Sequence, residues 1–305
     1  MLEVELDIFS GMPNPKWILS ETEEKELLDI ITSDLTQISP VYTPEEEFGL
    51  GYRGLIVREI KTDEGIWNRT NRSLENPLPI EFRVGSKPEK RVAADWLLQT
   101  SEKKYSKVTD ELREVVAEGV VLIRSDCPYP PITGGGGFEA GPHTLFLSNE
   151  NQFNKPENIL NNNCYAFASN HLGSTHRFAE PGIQGGRGRL REFTCGELRN
   201  GLYADGWTHH SSWPGASDVL VIAGVIWPGN DFHFYRLVAK GPTFNWSHKM
   251  GATGAGMYDN CGRLICQHCT VDNYILTPQS CVRGRYTDFC GYFYQNNATA
   301  RVKAP

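Results

Sequence analysis

The sequence predicts an α+β protein in two parts, and three observations carry that reading. From residue 1 to about 125, short strand patterns alternate with amphipathic helical ones. The segment Cys127-Pro-Tyr-Pro-Pro-Ile-Thr-Gly-Gly-Gly-Gly-Phe then breaks the pattern, its first half stiffened by proline and its second loosened by glycine. From residue 143 onward helical patterns come first, strands follow, and the chain ends in an irregular, aromatic and cysteine-rich tail. The expected organisation is an α+β recognition or regulatory domain over 1–126, a linker over 127–142, and an α+β domain with its tail over 143–305.

In the first part, strands are expected at Leu2 to Phe9, Gly54 to Ile60 and Ile80 to Val84, and helices at Glu21 to Ser33 and Asp110 to Glu118. Ser20 precedes the first helix with Glu23 three positions on, the spacing of a capping box. Between the first strand and that helix, Phe-Ser-Gly-Met-Pro-Asn-Pro-Lys-Trp reads as a rigid, turn-rich connection.

In the second part, the stretch Asn-Asn-Asn-Cys-Tyr-Ala-Phe-Ala-Ser-Asn (161–170) places Cys164 in the first turn of a helix capped by one of Asn161 to Asn163. A thiol there feels the helix dipole, which favours the thiolate. A glycine-rich loop, Pro181 to Gly188, and a second helix near Cys195 to Ala204 follow. The longest apolar run, Val219 to Trp227, reads as a buried strand. Residues 231–237 and 244–248 then form a hairpin; because Pro242 lacks an N–H, a four-residue loop is expected, with Val238 facing Thr243. That register sets Leu237 against Phe244, Tyr235 against Trp246 and His233 against His248, so two imidazoles end one aromatic face.

With Lys+Arg 30 against Asp+Glu 37 the formal charge is -7, and no block of like charges stands out. Neither nucleic acid nor an anionic membrane is expected as partner, and the longest apolar run is too short for membrane insertion. The first residues lack the pattern of a secretory signal, which suits a cytoplasmic chain or one without its leader. Six of the eight cysteines fall from Cys195 onward, and that density points to disulfides and a secreted or extracellular location. Sequons begin at Asn68, Asn71, Asn245 and Asn297. Cys261-x4-Cys266-x2-Cys269, with His268 inside, supplies one knuckle of a zinc site where two are needed, so disulfides are favoured over metal. With Cys164 set aside as a free thiol, at least one more cysteine is unpaired within the chain, Cys127 being a candidate. His209 and His210 lack a third ligand at defined spacing, and no metal site is expected there.

The order of a helix opened by cysteine, a second helix, a strand carrying His233 near its start and a neighbouring strand carrying His248 resembles the papain-like cysteine hydrolase superfamily. It is most similar to the NlpC-type cell-wall amidopeptidases and CHAP amidases. The resemblance covers about 160 to 250 and implies a helix packed on an antiparallel sheet. It also implies roles: Cys164 as nucleophile, His233 as general base and acid, His248 as the residue orienting that imidazole. Such a site needs a thiolate, an imidazole within reach and a partner that fixes its tautomer. Asn245 rivals His248 for the third role but points to the other face of the strand. The triplet Asn163-Cys164-Tyr165 departs from the Asp-Cys-Ser usual in NlpC-type enzymes, and residues 1 to 125 match no cell-wall module.

The expected function is therefore a cysteine-nucleophile hydrolase that cleaves an amide or peptide bond through an acyl-enzyme. Asn163, Tyr165, Trp207, Trp213, Tyr235 and Trp246 are candidate substrate contacts, the partner is a peptide or amide-containing substrate, and no cofactor is implied. Two alternatives stand beside it: transglutaminase-like acyl transfer by the same residues, and a non-enzymatic extracellular binding or matrix protein.

Overall fold

The computed structural model describes residues 1–42, 48–60, 78–103, 107–123, 150–173, 178–209, 219–240, 243–266 and 275–305. The expected linker, 127–142, lies outside them, as do Trp213, His210, His268, Cys127 and Cys269. The chain divides into two compact units, one formed by Met1–Ile8, Asn14–Glu46 and Gly51–Val121, the other by Phe9–Pro13, Glu47–Leu50 and Leu122–Pro305. Each holds one antiparallel sheet together with helices, the mixed α+β class the sequence predicts.

The first unit contains β1 (Leu2–Leu6), β2 (Lys16–Ile18), α1 (Glu21–Ser33), β3 (Ile38–Ser39), β4 (Leu55–Glu59), β5 (Glu81–Val84), α2 (Val92–Thr100) and α3 (Asp110–Glu118). Its strands run in the order β2-β1-β4-β5-β3. Helix α1 starts where the capping box sets it: the Ser20 side chain accepts from the Glu23 N–H, and the Glu23 carboxylate accepts from the Ser20 N–H. The first strand stops at Leu6, three residues before the expected end. The next residue, Asp7, belongs to a buried charge cluster. Its Oδ1 accepts from Arg53 Nε at 3.1 Å and Nη2 at 2.6 Å, and its Oδ2 from Arg83 Nη1 at 2.8 Å. All three side chains are sealed from solvent. Further guanidinium donors meet carbonyls: Arg53 Nη1 reaches Gly51 O, and Arg83 reaches Val41 O and Arg53 O. Burial alone would raise the Asp7 pKa, but the two guanidiniums outweigh it and hold the carboxyl down at about 2.

The second unit carries α4 (Glu150–Phe153), α5 (Pro156–Ile159), α6 (Cys164–Ala168), α7 (Cys195–Ala204), β6 (Thr208–His209), β7 (Val219–Trp227), β8 (Asp231–Lys240), β9 (Thr243–Lys249), β10 (Ala255–Gly256) and β11 (Asp288–Asn296). The sheet order is β10-β9-β8-β7-β11-β6. Every residue of β7 is buried, as a continuous apolar run requires of a central strand. Leu198 and Leu202 of α7, Cys164, Tyr165, Ala166 and Ala168 of α6, and Phe232 and Phe234 of β8 share one apolar core. Cys195, at the start of α7, is disulfide-bonded to Cys290 of β11, and Cys261 and Cys266 also lie in disulfides. The free thiols among the described residues are Cys164 and Cys281, both buried.

The hairpin register differs from expectation by two residues. The ladder runs on to the pair Lys240 and Thr243, so Tyr235 faces His248 and Leu237 faces Trp246. The four-residue loop is not the outcome, because the pair Lys240 and Thr243 closes the ladder. A shift of two keeps every side chain on its face. His233 and His248 consequently remain neighbours, now on a diagonal.

Candidate functional site

Asn163 caps the short helix α6: its Oδ1 accepts from the Ala166 N–H at 3.1 Å. Its Nδ2 donates to Gly11 O and Ala179 O, both at 2.7 Å. One amide thus fixes the helix start, the 9–13 loop and the chain near residue 179. The cap sets Cys164 at the first helical position, as the triple-asparagine run predicts.

The 9–13 loop is held a second time by Asp231, the first residue of β8. Its carboxylate accepts from the backbone N–H of Ser10 at 2.6 Å, of Gly11 at 3.1 Å and of Met12 at 2.8 Å, and from the Tyr286 hydroxyl at 2.6 Å. Gly11 is required for space: a Cβ there would fall on the ring and carbonyl of Phe232, inside contact distance. Burial pushes the Asp231 carboxyl up to about 6, although four hydrogen bonds pull the other way.

Held so, Ser10 joins the two histidines. Ser10 Oγ lies 2.5 Å from His233 Nδ1, His233 Nε2 lies 2.9 Å from His248 Nδ1, and His248 Nε2 lies 2.9 Å from Tyr258 O. A carbonyl can only accept, so His248 carries its proton on Nε2. Burial pushes the His248 pKa down to about 4, which leaves its Nδ1 an acceptor at neutral pH. His233 Nε2 must then donate, and when that ring is neutral the Ser10 hydroxyl donates to its Nδ1. The chain of protons runs one way, from Ser10 through both imidazoles to the backbone. The Tyr235 ring stacks on His248 with centroids 4.7 Å apart and edges onto His233 at the same distance.

Cys164 does not gain the thiolate character expected of a helix start. Burial pushes its thiol far above the ordinary range, the Asp231 charge adds to that, and the Lys249 charge among other contacts offsets only part. A helix of five residues has little dipole to set against full desolvation. The thiol sits 3.8 Å from Phe232 O, inside the apolar core.

The remaining predicted residues hold the fold from within. Tyr165 donates its hydroxyl to Asp205 Oδ2 at 2.7 Å and accepts from Trp207 Nε1 at 3.1 Å. The same Asp205 carboxylate takes the N–H groups of Gly182 and Gly185, so this chain anchors the glycine-rich loop. Trp246 stacks on Tyr292 at 5.4 Å. Asn163, Tyr165, Trp207, Tyr235, Trp246, Cys164, His233 and His248 are each at most 2 % exposed. Asn245 pairs with Val238 and lies on the other face from His233, as read. Among the described residues no group of three His, Cys, Asp or Glu side chains could hold a metal ion. No helix among them is long and apolar enough to cross a membrane.

Sequence reasoning missed Ser10, Asp231 and Tyr286. The one local signal was Ser10-Gly11 in the turn-rich loop; its partners lie more than two hundred residues away, where periodicity says nothing.

Comparison with curated proteins finds Insoluble matrix shell protein 1 of Ruditapes philippinarum, 40% identical over 131 residues, which is 43% of this chain and 77% of that protein. No family model matches the chain, and no solved structure matches it. The relative corrects the expectation of a cysteine hydrolase. It is named for a shell matrix and not for a peptidase or amidase, so cleavage or acyl transfer by Cys164, His233 and His248 is withdrawn in favour of the non-enzymatic alternative.

Proposed function

We infer that this chain, which belongs to the family of insoluble matrix shell protein 1, is a non-catalytic structural component of an extracellular matrix. The observation that carries the reading is the 40% identity to a shell matrix protein along 77% of that protein's length. Two features of the molecule support it. The Cys195–Cys290 disulfide suits an oxidising compartment. The polar cluster of Ser10, His233 and His248 is closed to solvent and satisfied internally, an arrangement that serves rigidity better than turnover.

A papain-like scaffold for the second unit belongs to this proposal as a statement about fold. The order that supports it is Cys164 on α6, α7, His233 on β8 and His248 on β9. On this reading the residues of a hydrolase site have become a structural core: Asn163 and Asp231 lock the 9–13 loop, and burial silences the thiol.

Fractionation of the tissue that expresses the protein tests the function. Antibody detection should find it in the extracellular matrix, in the material left after salt and detergent extraction. Recovery from the soluble cytosol would overturn the reading.

A further inference from the structure

We propose that Asn297 carries an N-linked oligosaccharide, a modification that rests on the extracellular reading above. Of the four sequons, Asn68 and Asn71 lie outside the described residues. The fold separates the other two. Asn245 is 2 % exposed in the middle of β9, between Phe244 and Trp246, and an oligosaccharide there would exclude the strand from its sheet. Asn297 lies in the turn after β11, half-buried, with Asn296, Ala298 and Thr299 exposed around it.

The hydrogen bonds orient the Asn297 amide for this role. Arg236 Nη1 donates to Asn170 Oδ1 at 3.1 Å, and a guanidinium can only donate, so the oxygen of Asn170 must face it. The Nδ2 of Asn170 is thereby left to donate, and it meets Asn297 Oδ1 at 2.9 Å. Asn297 thus turns its oxygen toward Asn170 and its Nδ2 away. A buried arginine sets two amides in series, and the Asn297 Nδ2, the atom to which a sugar attaches, takes no part in that series. An N-glycosylated amide keeps its carbonyl oxygen, so the bond from Asn170 survives the modification.

The step balances without redox chemistry. Asn297 Nδ2 forms a bond to the anomeric carbon of an oligosaccharide carried on a lipid pyrophosphate. The bond from that carbon to the pyrophosphate oxygen breaks, the amide gives up one proton, and the lipid pyrophosphate leaves. Thr299, two positions on, supplies the hydroxyl a sequon requires and is solvent-exposed, so its replacement leaves the core alone.

The test is to express the full chain behind a secretion leader in insect cells and to collect both microsomal and released protein. Both are treated with a peptide N-glycosidase in heavy-oxygen water and mapped. Position 297 should be recovered as heavy-oxygen-labelled aspartate, Asn245 should be unlabelled, and Thr299→Ala should abolish the label at 297 together with the corresponding shift in gel mobility. Unmodified Asn297 in both fractions would overturn the proposal, as would label at Asn245 in folded protein, which would remove the burial argument. Matrix extraction of the natural protein is a separate readout, so failure here leaves the extracellular reading to its own test.

Discussion

In the first unit a buried carboxylate lies between two buried guanidiniums, whereas in the second a hydroxyl and two imidazoles line up in a hydrogen-bonded chain. Both satisfy polar groups away from water. The charged cluster does so by Coulomb attraction strong enough to hold Asp7 at about 2, so its state is constant above roughly pH 4. The imidazole chain depends on which ring nitrogen carries a proton; it includes His248, displaced to about 4, and sits beside Asp231, displaced to about 6. Burial of ions gives a cluster indifferent to mild acid. Burial of neutral titratable groups gives one that acid can reach.

Removing the central carboxylate is the largest expected break in this comparison. Asp7→Ala leaves two guanidiniums buried together, and loss of one partner from such a site costs about 3–5 kcal/mol. Hydrogen exchange should show that loss in the protection of the β1 and β4 amides; an unchanged pattern would mean the cluster is not what holds those strands.

Gly11→Ala probes the imidazole cluster. The new methyl falls on the fully buried ring and on the backbone carbonyl of Phe232. Overpacking of this kind costs about 1–3 kcal/mol. The denaturation midpoint should drop, and the ring resonances of His233 should shift as Ser10 is displaced. A neutral outcome would show that the 9–13 loop is not locked.

The pH response separates the clusters most finely. His248 titrates at about 4 in the fold against 6.5 when free, so between those values the unfolded chain holds the extra proton. Acidification from 6.5 toward 4 therefore withdraws stability, at most about 1.4 kcal/mol per pH unit. Asp231 stands at about 6 in the fold against 3.8 when free, so between those values the folded state holds the proton, and the same acidification returns stability. The two contributions offset between roughly pH 4 and 6. His248→Asn removes one of them, and the variant should gain stability relative to wild type as pH falls through that range. Parallel pH profiles for the two proteins would contradict the assignment. Asp7, held at about 2 against 3.8, gives up its contribution only as pH falls below about 4.

The features legible in the sequence were those with a local cause. Helix α1 begins and ends where the capping box and the apolar spacing set it, α7 starts at Cys195, and Asn163 caps Cys164 because its short amide reaches the third N–H. The hairpin was legible in parity but not in register: alternation fixes the face of each residue, while loop length fixes the partner. Helix α2 was not anticipated. The Ser10 and Asp231 contacts were invisible because they join distant segments through single side chains. The cysteine pattern predicted disulfides but not that Cys195 would find Cys290, ninety-five positions on, nor that Cys281 would stay free. The expectation of a thiolate at Cys164 weighed the dipole, which is visible in sequence, and not the desolvation, which raises the thiol pKa in the fold.

Native-state alkylation of Cys164 tests the account most directly. The protein is incubated with iodoacetamide near neutral pH, quenched over time and mapped by peptide. A sealed structural thiol predicts no labelling at Cys164 until denaturant opens the fold. Labelling of Cys164 in the native protein faster than free cysteine would reveal an accessible thiolate and contradict the structural reading.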